Sequence, residues 1–189
     1  MLEYIATSPV SSHPVDATPR GHRDTVTNDT SGGPRPDISS DIASGGGQAQ
    51  TLWILIFKGH PRDIQSTRVT ELYLAFNESE SINVTFSLRG QYPSFRVREV
   101  WNGPMPRHRR NFHRRLAVST IMSTEKELNM CVRDAISDTP ANNSEPDLTS
   151  QSWVGDMITV LQEADLVTVE EGDNALNGMV NYISQAPWQ

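Results

Sequence analysis

The sequence predicts an α+β fold, a mostly antiparallel sheet followed by two or three helices packed on one of its faces. Two observations carry this expectation. From Thr51 to Met122 apolar residues come in short runs or alternate with period two, as strands require. From Leu128 onward they recur at three- and four-residue spacing, the stripe of an amphipathic helix.

Thr51–Phe57 is a continuous run rich in Ile and Leu, closed by Gly59 and Pro61. Its length and punctuation favour a buried strand over a helix. Val69–Phe76 alternates loosely. Ile82–Leu88 alternates cleanly, with Ile82, Val84, Phe86 and Leu88 on one face. The short polar stretch Asn77–Ser81 between them predicts a hairpin. Phe95–Val100 forms a fourth strand, Phe95, Val97 and Glu99 opposing Arg96 and Arg98, and Asn102-Gly103-Pro104 ends it. Leu116–Met122 is the fifth.

Thr124 and Glu127 have the spacing of a capping box, with Leu128, Cys131, Val132, Ala135 and Ile136 following at helical intervals. Cys131 reads there as a small buried hydrophobe. After a loop at Pro140–Asp147, a second helix starts near Thr149 or Ser150. It carries the strongest apolar face of the chain: Trp153, Val154, Met157, Ile158, Leu161 and Ala164. A last helix begins at Asp173 or Asn174 and uses Leu176, Met179, Val180 and Ile183.

Residues 1–48 are rich in Ser, Thr, Pro, Gly and Asp and have no apolar period, so they read as a disordered tail before a single domain at 49–189. Cys131 is the only cysteine, which excludes an intrachain disulfide and a thiolate metal cluster. The N-terminus has no basic stretch leading into an apolar one, and the longest apolar run, Leu52–Phe57, is far too short to span a bilayer. The expected location is therefore cytoplasmic or nuclear, with no membrane partner and with sequons such as Asn83-Val84-Thr85 unmodified. No P-loop, dinucleotide fingerprint or Gly-x-Ser-x-Gly is present, and no cofactor is expected. His108 and His113 make a poor metal site, because five residues is not one helical turn and the flanking arginines repel a cation.

The net charge of −7 conceals a segregation. Every charged residue after Arg133 is acidic, whereas Arg107, Arg109, Arg110, Arg114 and Arg115 fall in one short segment. Clustered guanidinium groups suit phosphates, and Phe112 among them could stack on a base. The acidic total and the lack of a nucleic-acid fold signature argue against nucleic acid. The favoured reading is a solvated loop, or one that pairs with the acidic C-terminal half, with nuclear import as its functional use.

The segment Leu148-Thr149-Ser150-Gln151-Ser152-Trp153-Val154, with Ala164-Asp165-Leu166-Val167 beyond it, resembles a small fungal family of unknown function. That family shows an Asn-Cys-Gln-x-Trp-Val signature and a helix ending in an Ala-Gly-Leu-type segment. Its first strand, with His-Trp and then alternating aliphatics, is similar to Leu52-Trp53-Ile54-Leu55-Ile56. The resemblance covers about residues 51–168. The signature is in turn similar to that of circularly permuted papain-like proteins, which would imply a papain-like architecture and a thiol hydrolase or acyltransferase. In such a site a helix N-terminus lowers the thiol pKa and an imidazole completes the pair.

Both chemical positions differ here: the Cys position is Ser150 and the His position is Leu52. His60, after the same strand, is the substitute base, and Ser150 otherwise reads as a helix N-cap. The leading reading is a catalytically inactive, accessory or binding-type relative with an unidentified small-molecule or protein partner. Trp53, Gln151, Trp153 and the five arginines are its candidate binding residues. A setting in specialised metabolism rests only on how often small domains of this kind accompany such pathways. The alternatives are a hydrolase or acyltransferase using Ser150, and a nuclear or nucleic-acid factor using Arg107–Arg115.

Overall fold

The computed structural model describes residues 48–76, 78, 80–123 and 128–188. Apart from Gln48, the expected tail lies outside the described residues, as does the capping box at Thr124 and Glu127. The chain is α+β: a five-stranded antiparallel sheet and three α-helices. The strands are β1 (Gln48–Phe57), β2 (Val69–Ala75), β3 (Asn83–Arg89), β4 (Arg96–Trp101) and β5 (Phe112–Ser123). The helices are α1 (Leu128–Asp138), α2 (Ser150–Glu163) and α3 (Val169–Ser184). The sheet order is β4-β3-β2-β1-β5, so the last strand returns to pair with the first.

Because residues paired across strands share a face, the register assigns the two sides. Leu52, Ile54 and Ile56 of β1 align with Leu74, Leu72 and Thr70 of β2, and Leu74 and Leu72 with Val84 and Phe86 of β3. This inner face is covered by the helices through Val132, Ile136, Trp153, Met157, Ile158 and Met179, all buried. A register shift in β5 opposite Leu52 and Trp53 lets both Val118 and Ser119 turn inward. Ser119 Oγ donates to Glu171 of α3 at 2.9 Å.

The outer face is also apolar. Trp53, Leu55, Phe57, Tyr73 and Ala75 form a second cluster, with Leu55 and Tyr73 fully buried. This explains the unbroken apolar run in β1 and the loose alternation in β2, since a strand covered on both sides has no polar face. The cover comes from topology. Leaving β4 at one edge and entering β5 at the other, residues 102–111 cross about 19 Å at ~4.8 Å per strand. Ten residues reach that far with slack. Asn102 and Asn111 bracket this strap with φ of 48° and 64°, the left-handed conformation that Asn adopts at least cost among side-chain residues.

Three elements begin three or more residues earlier than expected, and one helix cap differs. β1 begins at Gln48, and β5 at Phe112 rather than Leu116, which puts Arg114 and Arg115 on a strand. The last helix begins at Val169 under a Thr168–Glu171 capping box, not at Asp173 or Asn174. The apolar period is weak there because Gly172 sits against α2, where a Cβ would lie 2.9 Å from Ile158. Val180, expected inside, is exposed. The second helix is capped by Thr149, whose side chain accepts from the Ser152 N–H, so Ser150 is its first residue and not its N-cap. It ends with Asp165 at φ 56° and bonds from Leu166 N–H to Leu161 and Asp165 N–H to Gln162, a Schellman closure.

The outer cluster holds one charge, Glu71, 2% exposed and bridged by Arg89 from β3 and Arg109 from the strap. Removing both bases strands a buried carboxylate, whereas removing the carboxylate leaves two arginines that can reach water. Arg89→Met with Arg109→Met should therefore cost about 3–5 kcal/mol in urea unfolding, and Glu71→Leu distinctly less. Equal losses would show that the arginines act through packing alone.

Candidate functional site

The strap and the start of β5 enclose a cleft of about 280 Å³ lined by Glu80, Met105, Pro106, Arg107, Phe112, His113, Arg114 and Arg115. Pro106 is buried and opens the short 3-10 turn Pro106–His108, which carries Arg107 outward. Arg115 lies over the Trp53 ring at 4.2 Å and donates to Glu80 at 2.6 Å. Glu80, at φ 54° on the β2–β3 connection, also accepts from the Tyr73 hydroxyl. Burial, and then the Glu80 charge, push the Tyr73 phenol far above its usual range, so it stays a donor. Arg114 stacks on Tyr182 of α3 at 5.3 Å.

The arginine cluster is a solvated loop only in part, since Arg114 and Arg115 stand on β5, and among the described residues none of its ion pairs reaches the C-terminal half. Arg109 pairs with Glu71 and lies 4.3 Å above the Phe57 ring. Arg115 pairs with Glu80. These side chains lay their stems and flat heads over the outer apolar cluster, as amphipathic cations do. Arg107 and Arg110 are exposed, and neither forms an ion pair among the described residues.

Ser150 is placed differently. Strand β3 pairs with β2 only from Leu72 onward, which leaves the Thr70 N–H without a strand partner. Ser150 Oγ accepts that N–H at 3.1 Å, and the Thr70 hydroxyl donates to the Ser150 carbonyl at 2.7 Å. Gln151 Nε2 donates to the carbonyls of Gln65 and Arg68, which fastens α2 to the loop between β1 and β2. His60 is exposed on that loop, and no hydrogen bond joins it to Ser150 among the described residues. Leu52 and Trp153 are core residues, 0% and 1% exposed. Of the candidates named from sequence, the cleft gathers Arg107, Arg114 and Arg115, with Trp53 beneath Arg115. Glu80, Met105, Pro106 and His113 were not among them, and only the strap's return path brings them together.

The same loop holds a polar knot. Buried Arg68 donates to both oxygens of Asp63, at 2.9 and 2.8 Å, and to the Tyr182 carbonyl. The Arg68 bond, aided by the Gly59 N–H, lowers Asp63 to about 2 against the opposing effect of burial. His113 packs edge-on to Tyr182, its Nε2 buried without a hydrogen-bond partner among the described residues. Burial first, then the charges of Arg68 and Lys58, lower its pKa.

Among the described residues no group of three His, Cys, Asp or Glu side chains is placed to hold a metal, and no helix is long and apolar enough to cross a membrane. Cys131 is half-buried on α1. The chain matches no family model, no curated protein and no solved structure.

Acid should destabilise the protein in two stages. With its folded pKa depressed, His113 favours the native state fully above about pH 6.5, and stability falls as pH drops below that value toward the lowered folded pKa. Asp63 contributes above about pH 3.8, and that contribution disappears as pH falls to about 2. Thermal melts across this range should show both stages, and His113→Asn should remove only the first.

Proposed function

We propose that this domain is a catalytically inactive, binding-type module that receives its partner at the cleft beneath the strap. The commitment of Ser150 to the sheet carries the reading. Its hydroxyl accepts the Thr70 N–H, and the position where the papain-like resemblance expects an imidazole is a fully buried leucine. A nucleophilic serine needs a base within hydrogen-bond reach. The papain-like relationship, the fungal origin and a setting in specialised metabolism belong to the same proposal and rest on the resemblance and on association, not on the cleft.

The hydroxyl of Ser150 serves as an acceptor between α2 and β2. Ser150→Ala leaves the Thr70 N–H unsatisfied and should cost about 1–3 kcal/mol. Thr149→Ala, which removes the cap itself, should cost about 0.5–2 kcal/mol. A fluorophosphonate probe should leave Ser150 unlabelled. Labelling at Ser150 that disappears in His60→Ala would make the protein a serine hydrolase or acyltransferase.

A further inference from the structure

We infer that the cleft between the strap and β5 binds a small aromatic anion, its charged group held by arginines and its ring against the apolar wall. This rests on the binding-module reading and names its ligand class.

The charge count points to an anion. Two arginines whose guanidinium groups are not committed to the helix side, Arg107 and Arg115, line the cleft against one carboxylate, Glu80, while Arg114 lines it from β5 with its own guanidinium turned to Tyr182. Only Arg115 is paired with Glu80. Arg107 forms no ion pair among the described residues, so the lining carries one cation without a counter-charge. His113 adds none near neutrality, since burial and the neighbouring cations lower its pKa.

Arg115 is also held in place, fixed between the Trp53 ring and Glu80. A guanidinium has five N–H donors in a planar fork, and Arg115 gives Glu80 one, at 2.6 Å. The remaining donors suit the paired oxygens of a carboxylate or phosphate. Pre-set donors lose less entropy on binding than free side chains do.

The rest of the lining is apolar apart from the buried His113 ring. Met105 and Pro106 of the strap and the Phe112 ring complete the lining. Phe112 is itself seated edge-on against Phe57, with ring centres 6.0 Å apart. Small-molecule sites combine apolar walls with convergent polar groups; this cleft is more polar than most, and its 280 Å³ lies just below their usual range of about 300–1,000 Å³. The volume admits one ring and one anionic group, and it excludes a stacked run of nucleotides.

Phenyl phosphate is the probe, titrated calorimetrically into the full chain at low salt beside inorganic phosphate and phenol. Phenyl phosphate should bind about tenfold or more tightly than inorganic phosphate, the gain from burying the ring. Phenol should not bind over the same concentrations. Arg107→Gln should weaken phenyl phosphate about tenfold, the loss of one charge-assisted bond. Arg110→Gln, on the strap outside the lining, should leave it unchanged. Both residues are exposed, and unchanged thermal melts would show that each variant is folded.

Equal affinity for phenyl phosphate and inorganic phosphate, or no binding of either, overturns the inference. So does a heparin oligosaccharide that binds more tightly than phenyl phosphate and loses as much affinity in Arg110→Gln as in Arg107→Gln, because the basic face is then a polyanion surface. Failure of the underlying reading looks different: labelling of Ser150 ends the claim of inactivity and leaves these titrations unaffected.

Discussion

A single carboxylate, that of Glu71, organises the outer side of this molecule. It stands in the central strand β2, 2% exposed, on a face whose neighbours Leu55 and Tyr73 are fully buried. An unpaired charge there would cost about 3–5 kcal/mol, a large share of a domain's stability. Two arginines remove the difficulty, Arg89 from the next strand and Arg109 from a segment far along the chain. Once Arg109 is drawn to Glu71, the strap lies across β1, and Phe57 gains a guanidinium over its ring. The register of β5 follows, since Asn111 then accepts the Lys58 N–H and Phe112 aligns with Phe57. Closure of the sheet and concealment of its second face are one event.

Much of the architecture was legible in the sequence, and what was missed has a common cause. The alternation in Ile82–Leu88 and the helical stripe from Trp153 to Leu161 report local period, and both elements lie where the pattern puts them. The run at Leu52–Phe57 also reported its burial on both sides, but it could not say what would cover the second side. That depends on strand order, with β5 returning to β1. The arginines between 107 and 115 were conspicuous for the same reason that they were misread. The partners of Arg109 and Arg115 are Glu71 and Glu80, at ion-pair distance in the fold but 38 and 35 residues away in the chain. Charge blocks along the sequence suggested the C-terminal acids instead.

The reading of Ser150 was displaced by one residue, and the displacement changes its chemistry. Thr149 and Ser152 cap each other reciprocally, with Thr149 Oγ1 accepting from the Ser152 N–H at 3.1 Å and Ser152 Oγ from the Thr149 N–H at 3.0 Å. That leaves the Ser150 hydroxyl free to serve a different backbone donor, on β2. Gln151 does similar work one residue on, and Gln65 continues it to the carbonyls of Ser184, which ends α3, and Ala186 just past it. The polar side chains that look like a catalytic string are the joints between a loop and two helix ends. Sequence spacing alone does not separate these uses, because a helix start needs hydroxyl and amide groups in either case.

An acidic total says little about what the cleft can attract. Asp156, Glu163, Asp165, Glu170 and Asp173 are exposed on or beside α2 and α3, which pack against the inner face. The strap arginines and Arg115 occupy the outer face, with the sheet and its two apolar clusters between the layers. Exposed charges separated by more than the ~8–10 Å screening length at physiological salt scarcely neutralise each other. Each side of the sheet therefore presents its own field, and an anion approaching the strap meets guanidinium groups whose ion-pair partners among the described residues are Glu71 and Glu80. Acids on the helices would repel a long polyanion that wrapped toward them, while a ligand small enough to stay within the cleft never reaches them. The same segregation that obscured the arginines' partners in the sequence thus favours a compact anion over an extended one.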